Sequence, residues 1–403
     1  MALDRISNLP SDVVENILSR LSIKEAVSTS VLSSNWRYKT AMLPHLVFDN
    51  RCFSNKNLTT FENIVNQVLL LHIGPINTFK LSHRDRLATS DIDRWILHLS
   101  RNAIEEFILD IWQGDPYKAP SCLFSCQDLV HLELYNCLLK PPSTFKGFKS
   151  LRSLDIRWIT LASDVFDKMI VCSPLLEELT VVYIDGLTRL KIDAPNLQYL
   201  KVNGDFENVS LENTLNLVEV SIALDGSYDQ RLVPGNCSNL VKFFVHLPHI
   251  RRLKIKSFFL QYLAFGDLPE KLPEPLLSLN YLSLSIRFKH LKELLTALFL
   301  IRNSPSLKVL SISAEEDQAV LVEEAKYLLD DNENCLLNQL QIVTIIGVSG
   351  VETELDFIRF LLSNAPVLKR MTVKPASMNG ELVKKLLQFR RGSAFAEIIY
   401  MDP

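Results

Sequence analysis

The sequence predicts an α/β fold of repeated strand units, preceded by a small domain of three short helices. Two observations lead to this prediction. The pattern Leu-x-x-Leu-x-Leu, with Ile, Val, Phe or Met replacing some leucines, recurs between residues 129 and 373. Residues 1–40 instead carry apolar positions at helical spacing, in three short runs. The chain has 403 residues, enough for two or three domains or for one long repeat domain with an appendage.

The repeat has the period of leucine-rich repeats, because the first six units begin 20 to 25 residues apart. Each unit supplies one strand whose leucines face the core while the residues between them face outward. Stacking such units predicts a solenoid, in the form of a horseshoe or arc. An ordinary α/β sheet is the alternative, but ten units with one internal pattern favour the solenoid. The predicted strands span 129–134, 151–156, 176–181, 197–202, 217–222, 240–245, 250–255, 279–284, 307–312 and 368–373.

Composition and charge indicate a globular protein and limit its partners. Hydrophobic residues make up 47% of the chain and charged residues 22%. The net charge of -3 argues against broad binding to nucleic acid or anionic membranes. The chain lacks an apolar run of about 18 residues, so we expect no membrane span. Seven cysteines without a CxxC pair, and no secretory signal, indicate a reduced compartment: the nucleus, the cytoplasm or both.

Capping boxes at Asp12–Glu15 and Ser22–Glu25 predict the starts of the first two N-terminal helices, and a third helix begins near Ser34. So short a segment cannot bury all of its apolar surface. The residues alone leave two interpretations open: a helical cap on the following domain, or a partner-binding surface. That surface would be centred on Leu9, Pro10, Val14, Ile17 and Leu18.

Residues 6–39 resemble a plant-type F-box over nearly their whole length. The Leu9-Pro10 pair and the ending Leu32-Ser-Ser-Asn-Trp-Arg37 stand where that family has them. The resemblance implies that the segment binds a Skp-family linker protein, which joins it to a cullin. It also implies that eight positions contact the linker or form the core of the box: Leu9, Pro10, Val14, Ile17, Leu18, Leu21, Val31 and Trp36.

The C-terminal region resembles the FBD domain, through Leu340–Ile345, a helix over Glu352–Asn364 and the segment ending at Met371. A further helix, Glu381–Arg390, is predicted to cap the last repeat. Between the F-box and residue 125 we expect helices over 61–69 and 92–99 and strands over 76–81 and 104–109. These would be degenerate first repeats.

The whole chain thus resembles the plant F-box/FBD/LRR-repeat family. The predicted organisation is an F-box over residues 1–45, a connecting region with degenerate repeats over 46–125, leucine-rich repeats over 126–335, and FBD-like repeats with a cap over 336–403.

The resemblance implies a function without catalysis. It implies the substrate-recognition subunit of an SCF-type (Skp-cullin-F-box) ubiquitin ligase, which binds the linker and a target protein and promotes ubiquitination and degradation of the target. The alternatives are a non-degradative Skp-binding protein and a small-ligand-responsive receptor. No phosphate-binding, zinc-protease or nucleophile-elbow motif occurs, so we expect no catalytic residue, metal or cofactor. Gly347–Gly350 falls one residue short of a nucleophile elbow and is predicted to be a turn.

The outward-facing strand positions are the candidate substrate surface. The candidate residues are Tyr135, Arg157, Tyr199, Lys201, Lys242, Phe244, Arg252, Lys254 and Lys256. The stretch from Lys242 to Lys256 is basic, which fits an acidic or phosphorylated segment of a target protein. A solvated charged face is the other interpretation.

Overall fold

A computed structural model describes residues 6, 9–49, 58–84, 87–225, 239–266, 268–269, 271–272, 274–315, 336–377 and 380–402. The chain divides into two compact units, Met1–Ala194 and Pro195–Pro403. Each unit is a mixed α/β structure with a parallel sheet.

The first unit opens with three short helices, Ser11–Leu18 (α1), Ile23–Thr29 (α2) and Ser34–Ala41 (α3). The capping box predicted for α2 is confirmed, because Ser22 accepts from the Glu25 N–H while the Glu25 carboxylate accepts from the Ser22 N–H at 2.9 Å. The box predicted at Asp12 is wrong. Pro10 is the N-cap of α1, and its carbonyl accepts the first helical hydrogen bonds, so Asp12 already lies inside the first turn.

Parallel strands make up the sheet of the first unit. Its strands are β1 (His45–Phe48), β2 (Thr78–His83), β3 (Glu106–Ile111), β4 (Tyr117–Lys118), β5 (His131–Tyr135), β6 (Cys137–Leu138), β7 (Ser153–Thr160) and β8 (Glu178–Asp185). A further strand of this unit, β9 (Arg189–Asp193), lies outside that sheet. The helices between them are α4 (Leu58–Leu71), α5 (Thr89–Leu99) and α6 (Ser163–Val171), with a 3-10 helix over Ser121–Ser125. The order β1-β2-β3-β5-β7-β8 follows the sequence, and the short β6 pairs with both β4 and β7.

The core of this unit is a ladder of aliphatic side chains in unbroken register. It runs through Leu81, Leu109, Leu134, Ile156 and Val181, all buried. The helices and strands predicted ahead of residue 125 are present as α4, α5, β2 and β3, and the two strands continue the same register.

The second unit repeats this arrangement. Its strands are β10 (Tyr199–Gly204), β11 (Asn208–Glu212), β12 (Glu219–Leu224), β13 (Arg252–Ser257), β14 (Tyr281–Ile286), β15 (Val309–Ala314), β16 (Ile342–Val348), β17 (Arg370–Pro375) and β18 (Glu397–Tyr400). Its helices are α7 (Asn239–Phe244), α8 (Phe259–Leu263), α9 (Leu291–Arg302), α10 (Glu352–Asn364) and α11 (Gly380–Gln388). Strands β10 and β12 to β18 pair in chain order, with the buried ladder Ile222, Ile255, Leu284, Ile312, Ile345 and Val373.

The strand predicted over 240–245 is wrong, because Asn239–Phe244 is helix α7. Phe243 and Phe244 are consecutive and both buried, whereas the alternation predicted for a repeat strand would turn one of them outward. The ring of Phe243 packs edge-on against Phe259 of α8, with centroids 5.2 Å apart. Lys242 and Phe244 therefore do not lie on the outward face of the sheet.

The other nine predicted strands are present, and the parallel sheets are consistent with leucine-rich repeats. The predicted turn over Gly347–Gly350 joins the end of β16 to α10, and both glycines have positive φ. Among the described residues, no helix combines the length and apolar character needed to cross a bilayer.

Candidate interaction surfaces

Four side chains form the core of the N-terminal helical domain. Val14, Leu18, Ala26 and Trp36 make one cluster, each 2% exposed or less. The indole N–H of Trp36 donates to the Ile6 carbonyl at 3.0 Å, which fixes the chain ahead of α1. The helices are short and bury few other residues, so their stability depends largely on this small cluster.

The structure divides by burial the eight positions that were expected to contact the linker or to form the core of the box. Val14 and Leu18 lie in that core, because α3 covers their face of α1 through Trp36. They are therefore not part of the exposed surface that the apolar spacing had predicted around them. The partly buried positions, packed against the cluster, are Leu9, Ile17 and Leu21. The exposed positions are Pro10 and Val31, and Val31 is 79% exposed.

Further apolar side chains of the box, not singled out from the sequence, are exposed to solvent. They are Ile6, Val13, Val27, Leu32 and Tyr38. One signal was available, because consecutive residues such as Val13 and Val14 lie about 100° apart on a helix and cannot share one narrow face. So many exposed apolar groups on a small helical domain are typical of a protein-binding surface.

Hydrogen bonds connect the outward-facing side chains of the first unit from strand to strand. Thr78 donates to the Glu106 carboxylate at 3.0 Å, and Ser82 donates to the Asp110 carboxylate at 2.7 Å. These bonds hold polar side chains in fixed positions on the outward face of the sheet.

The charge of Arg157, a candidate substrate-binding residue, is neutralised within its own strand. Its guanidinium donates two hydrogen bonds to the Asp155 carboxylate, at 2.8 and 2.5 Å. The bond to Asp155 and the nearby charges of Glu133 and Asp110 raise the pKa of Arg157. Tyr135, the other candidate of this unit, lies beside Arg157 in the paired strand β5. Burial raises the pKa of the Tyr135 phenol, and the charge of Asp110 raises it further.

Tryptophan and tyrosine rings stack in two pairs on this unit. Trp112 stacks on Tyr135 with ring centroids 4.7 Å apart, and Trp158 stacks on Tyr183 with centroids 4.3 Å apart. Only Tyr135 of these four was singled out from the sequence. Left-handed backbone at Trp158 and Tyr183 explains why these two were missed, because it interrupts the strand alternation that the sequence predicts.

The outward face of the second unit carries five of the other candidate residues. Tyr199 and Lys201 lie on β10, and Arg252, Lys254 and Lys256 lie on β13. Their alternating neighbours are buried, so these five side chains point away from the core.

Arg252 and Lys254 share one carboxylate on the neighbouring strand β12. Their nitrogens lie 3.2 and 2.8 Å from the Glu219 oxygens. Both cations also lie over the Tyr281 ring, at 4.4 and 5.9 Å from its centroid. Glu219 thus offsets part of the positive charge that the sequence indicated here.

The basic character of this face extends beyond β13. On the paired strands β10 and β12 to β18, the outward-facing cations outnumber the carboxylates Glu219 and Glu397. The cations are Lys201, Arg252, Lys254, Lys256, Arg370 and Lys374.

Comparison with known proteins assigns all three parts of this chain. Residues 6–46 match the F-box domain, residues 92–312 match the LRR repeats of the FBD-associated F-box protein At5g56370, and residues 334–373 match the FBD domain. The F-box/FBD/LRR-repeat protein At1g13570 of Arabidopsis thaliana is 40% identical, and the alignment covers 99% of each chain. The chain belongs to the plant F-box/FBD/LRR-repeat family.

Other members of the family from Arabidopsis thaliana are more distant. The F-box/LRR-repeat protein At3g58980 is 27% identical over 99% of this chain and 75% of its own length. The putative FBD-associated F-box protein At5g50270 is 27% identical over 94% of this chain and 98% of its own length.

The family assignment carries a general role. F-box domains bind Skp-family linkers within SCF complexes, and F-box/LRR proteins are generally non-catalytic adaptors in the ubiquitin pathway. In this F-box/FBD/LRR-repeat protein the F-box match covers helices α1, α2 and α3, together with the first residues of β1.

Proposed function

We propose that this chain is the substrate-recognition subunit of an SCF-type ubiquitin ligase. The F-box binds a Skp-family linker, and through it a cullin, while a leucine-rich repeat solenoid holds a target protein for ubiquitination and degradation. The chain contributes to the reaction by holding its target near the ubiquitin-conjugating enzyme, which is catalysis by proximity.

The exposed apolar surface of the F-box carries the first half of this proposal. The box buries a cluster of four residues and leaves Val31 79% exposed, together with other large apolar side chains. Contact of these apolar side chains with water costs free energy, and binding to a partner removes that cost. The outward faces of the two sheets, rich in charged and aromatic groups, support the second half.

Co-purification with a plant Skp-family linker tests the F-box. We expect the full chain to capture the linker and Val31→Asp to weaken the interaction by about tenfold or more, because a carboxylate at the centre of an apolar interface is left without a partner. Val245→Asp is the matched control, since Val245 is 58% exposed and lies in the second unit. Failure of the unaltered chain to capture the linker, or an equal loss with both variants, contradicts the proposal.

A second experiment separates a degradative receptor from a non-degradative binder. Proteins that co-purify with both the unaltered chain and the Val31→Asp chain from plant cells are candidates for the target. If the chain is a receptor, such a protein accumulates and loses its ubiquitin conjugates in cells that express only the Val31→Asp chain. A partner whose abundance and ubiquitination stay constant favours the non-degradative role.

A further inference from the structure

Three consecutive strand segments of the first unit carry a left-handed residue at the same register position. Asn136, Trp158 and Tyr183 have φ angles of 54°, 55° and 51°. Each directly follows a residue of the paired set Tyr135, Arg157 and Val182. Left-handed backbone is uncommon for bulky side chains, and a residue in this conformation interrupts the regular alternation of a strand.

The left-handed residue exposes a side chain that regular alternation would bury. Arg157 faces outward, so the next residue of a regular strand would face the core. Trp158 is instead 50% exposed, and inward packing resumes at the fully buried Ile159. Tyr183 has the same position between Val182 and the buried Ile184 on the next strand.

The result is a surface of two stacked aromatic pairs, Trp112 with Tyr135 and Trp158 with Tyr183, which we call the aromatic surface. Trp112 is 58% exposed. The sequence contains four tryptophans, and the other two, Trp36 and Trp95, are each 2% exposed. Both solvent-exposed indoles of the protein therefore lie on this surface.

The outward face on which these rings lie is acidic. Strands β2, β3, β5, β7 and β8 present six carboxylates at their outward positions, against the permanent cations Lys80 and Arg157. The carboxylates are Glu106, Asp110, Glu133, Asp155, Glu178 and Asp185. Arg157 is further neutralised by its two hydrogen bonds to Asp155.

We infer that the aromatic surface binds a segment of the target protein that carries lysine or arginine side chains. Indole and phenol faces attract cations, and tryptophan and tyrosine are the residues that most often anchor protein interfaces. The surrounding carboxylates complement such a segment and repel an acidic one. This inference rests on the proposed receptor function and adds the chemistry of the segment that is recognised.

Synthetic peptides test the charge preference on the full chain. Three fluorescently labelled peptides of equal length combine Gly and Ser with Lys, with Gln or with Glu. We expect the Lys peptide to bind, the Gln peptide to bind about tenfold more weakly or worse, and the Glu peptide not to bind, as measured by fluorescence anisotropy. Equal affinity for the Lys and Glu peptides overturns the inference.

Tryptophan fluorescence locates the bound peptide. Because Trp36 and Trp95 are buried, quenching by neutral acrylamide reports mainly on Trp112 and Trp158. The Lys peptide should protect this fluorescence at the concentrations that saturate the anisotropy signal. Saturation without protection places the peptide elsewhere and overturns the inference.

The double variant Trp112→Ala/Trp158→Ala should weaken binding of the Lys peptide by about tenfold or more. Phe395→Ala is the control, since this exposed aromatic residue lies in the second unit. Unchanged affinity of the double variant overturns the inference. If that variant does not fold, the peptide preference and the quenching of the unaltered chain decide the question. Retained capture of the Skp-family linker shows that a negative result concerns this surface and not the F-box.

Discussion

The Glu293 carboxylate accepts hydrogen bonds from both the backbone N–H and the guanidinium of Arg287, and the backbone bond measures 3.1 Å. Their side chains are only 2% and 11% exposed, respectively. The guanidinium also lies over the Phe258 ring, 4.6 Å from its centroid. Removing one partner of such a buried ion pair destabilises the fold, because the other charge stays buried without compensation.

Glu293→Ala should therefore lower the free energy of unfolding by about 3–5 kcal/mol, since the buried Arg287 charge loses its partner. Urea denaturation followed by circular dichroism measures the change. Lys292→Ala is the matched control, because Lys292 is the exposed preceding residue of the same helix. Its substitution should change the stability by no more than about 0.5 kcal/mol. Equal effects of the two variants would contradict the structural role of the pair.

His131 should titrate above its usual range. The interaction with Glu133, whose Oε2 lies 3.9 Å from His131 Nε2, raises the pKa of His131 above 6.5. The same interaction lowers the pKa of Glu133 below 4.5. The histidine contribution to stability is fully present below pH 6.5 and is lost as the pH rises through the folded-state pKa. The glutamate contribution is present above pH 4.5 and is lost as the pH falls through its own folded-state pKa. The pair therefore stabilises the fold most between about pH 4.5 and 6.5.

NMR titration of the His131 ring checks this expectation, with His131→Gln used for the assignment. Glu133→Gln should move the pKa of His131 back toward 6.5. Glu178→Gln is the control, because Glu178 lies at an outward position of β8 and is not among the acids, Glu133, Glu106 and Asp155, that raise the pKa of His131. An unchanged His131 titration in Glu133→Gln would refute the coupling.

Gly147 and Gly186 provide a matched pair for backbone strain, because both have a φ of +87°. A Cβ at Gly147 would lie 2.2 Å from the Cys172 carbonyl oxygen, whereas a Cβ at Gly186 would lie 2.8 Å from that of Leu161. Each alanine variant should lose about 1 kcal/mol from the left-handed conformation. Gly147→Ala should lose about 1–3 kcal/mol more through overpacking. Thermal unfolding of both variants measures the difference, and equal losses would show that the contact with Cys172 relaxes freely.

The thiols of Cys126 and Cys137 should resist alkylation in the folded chain. Burial raises the pKa of each to about 12, so almost no reactive thiolate forms near neutral pH. Mass spectrometry after iodoacetamide treatment should find both unmodified in the native protein and fully modified in guanidinium. Modification of Cys137 at the same rate in both conditions would show that its strand opens readily.

The sequence predicted most strands because each carries its own signal. Apolar residues three and then two positions apart, with polar residues between them, identify β7 or β14 without knowledge of the neighbouring strands. The segment Asn239–Phe244 misled the same argument, since it contains the spacing but forms a helix. Its two adjacent phenylalanines are both buried, and Phe243 packs against Phe259 of the neighbouring helix, a tertiary contact that no local pattern encodes.

The candidate surfaces were less predictable than the fold. Apolar spacing identified Val14 and Leu18 but did not show that Trp36 covers them. The exposure of Trp158 depends on its left-handed backbone. Because Trp158 is neither Gly nor Asn, the usual sequence signal for that conformation is absent. The sequence alone therefore does not reveal which side chains one element covers on another, or where a strand departs from its regular alternation.

The unbroken parallel register has a consequence for how such a protein can change its specificity. Neighbouring strands lie about 4.8 Å apart, so each outward position has fixed neighbours on the adjacent strands. Because outward side chains do not pack in the core, the core does not dictate which amino acid stands at these positions. The ladder from Leu81 to Val181 can stay constant while Glu133 or Tyr135 is exchanged. Under the proposed receptor function, duplicated copies of such a gene can diverge toward new targets by single point mutations, without passing through an unfolded intermediate.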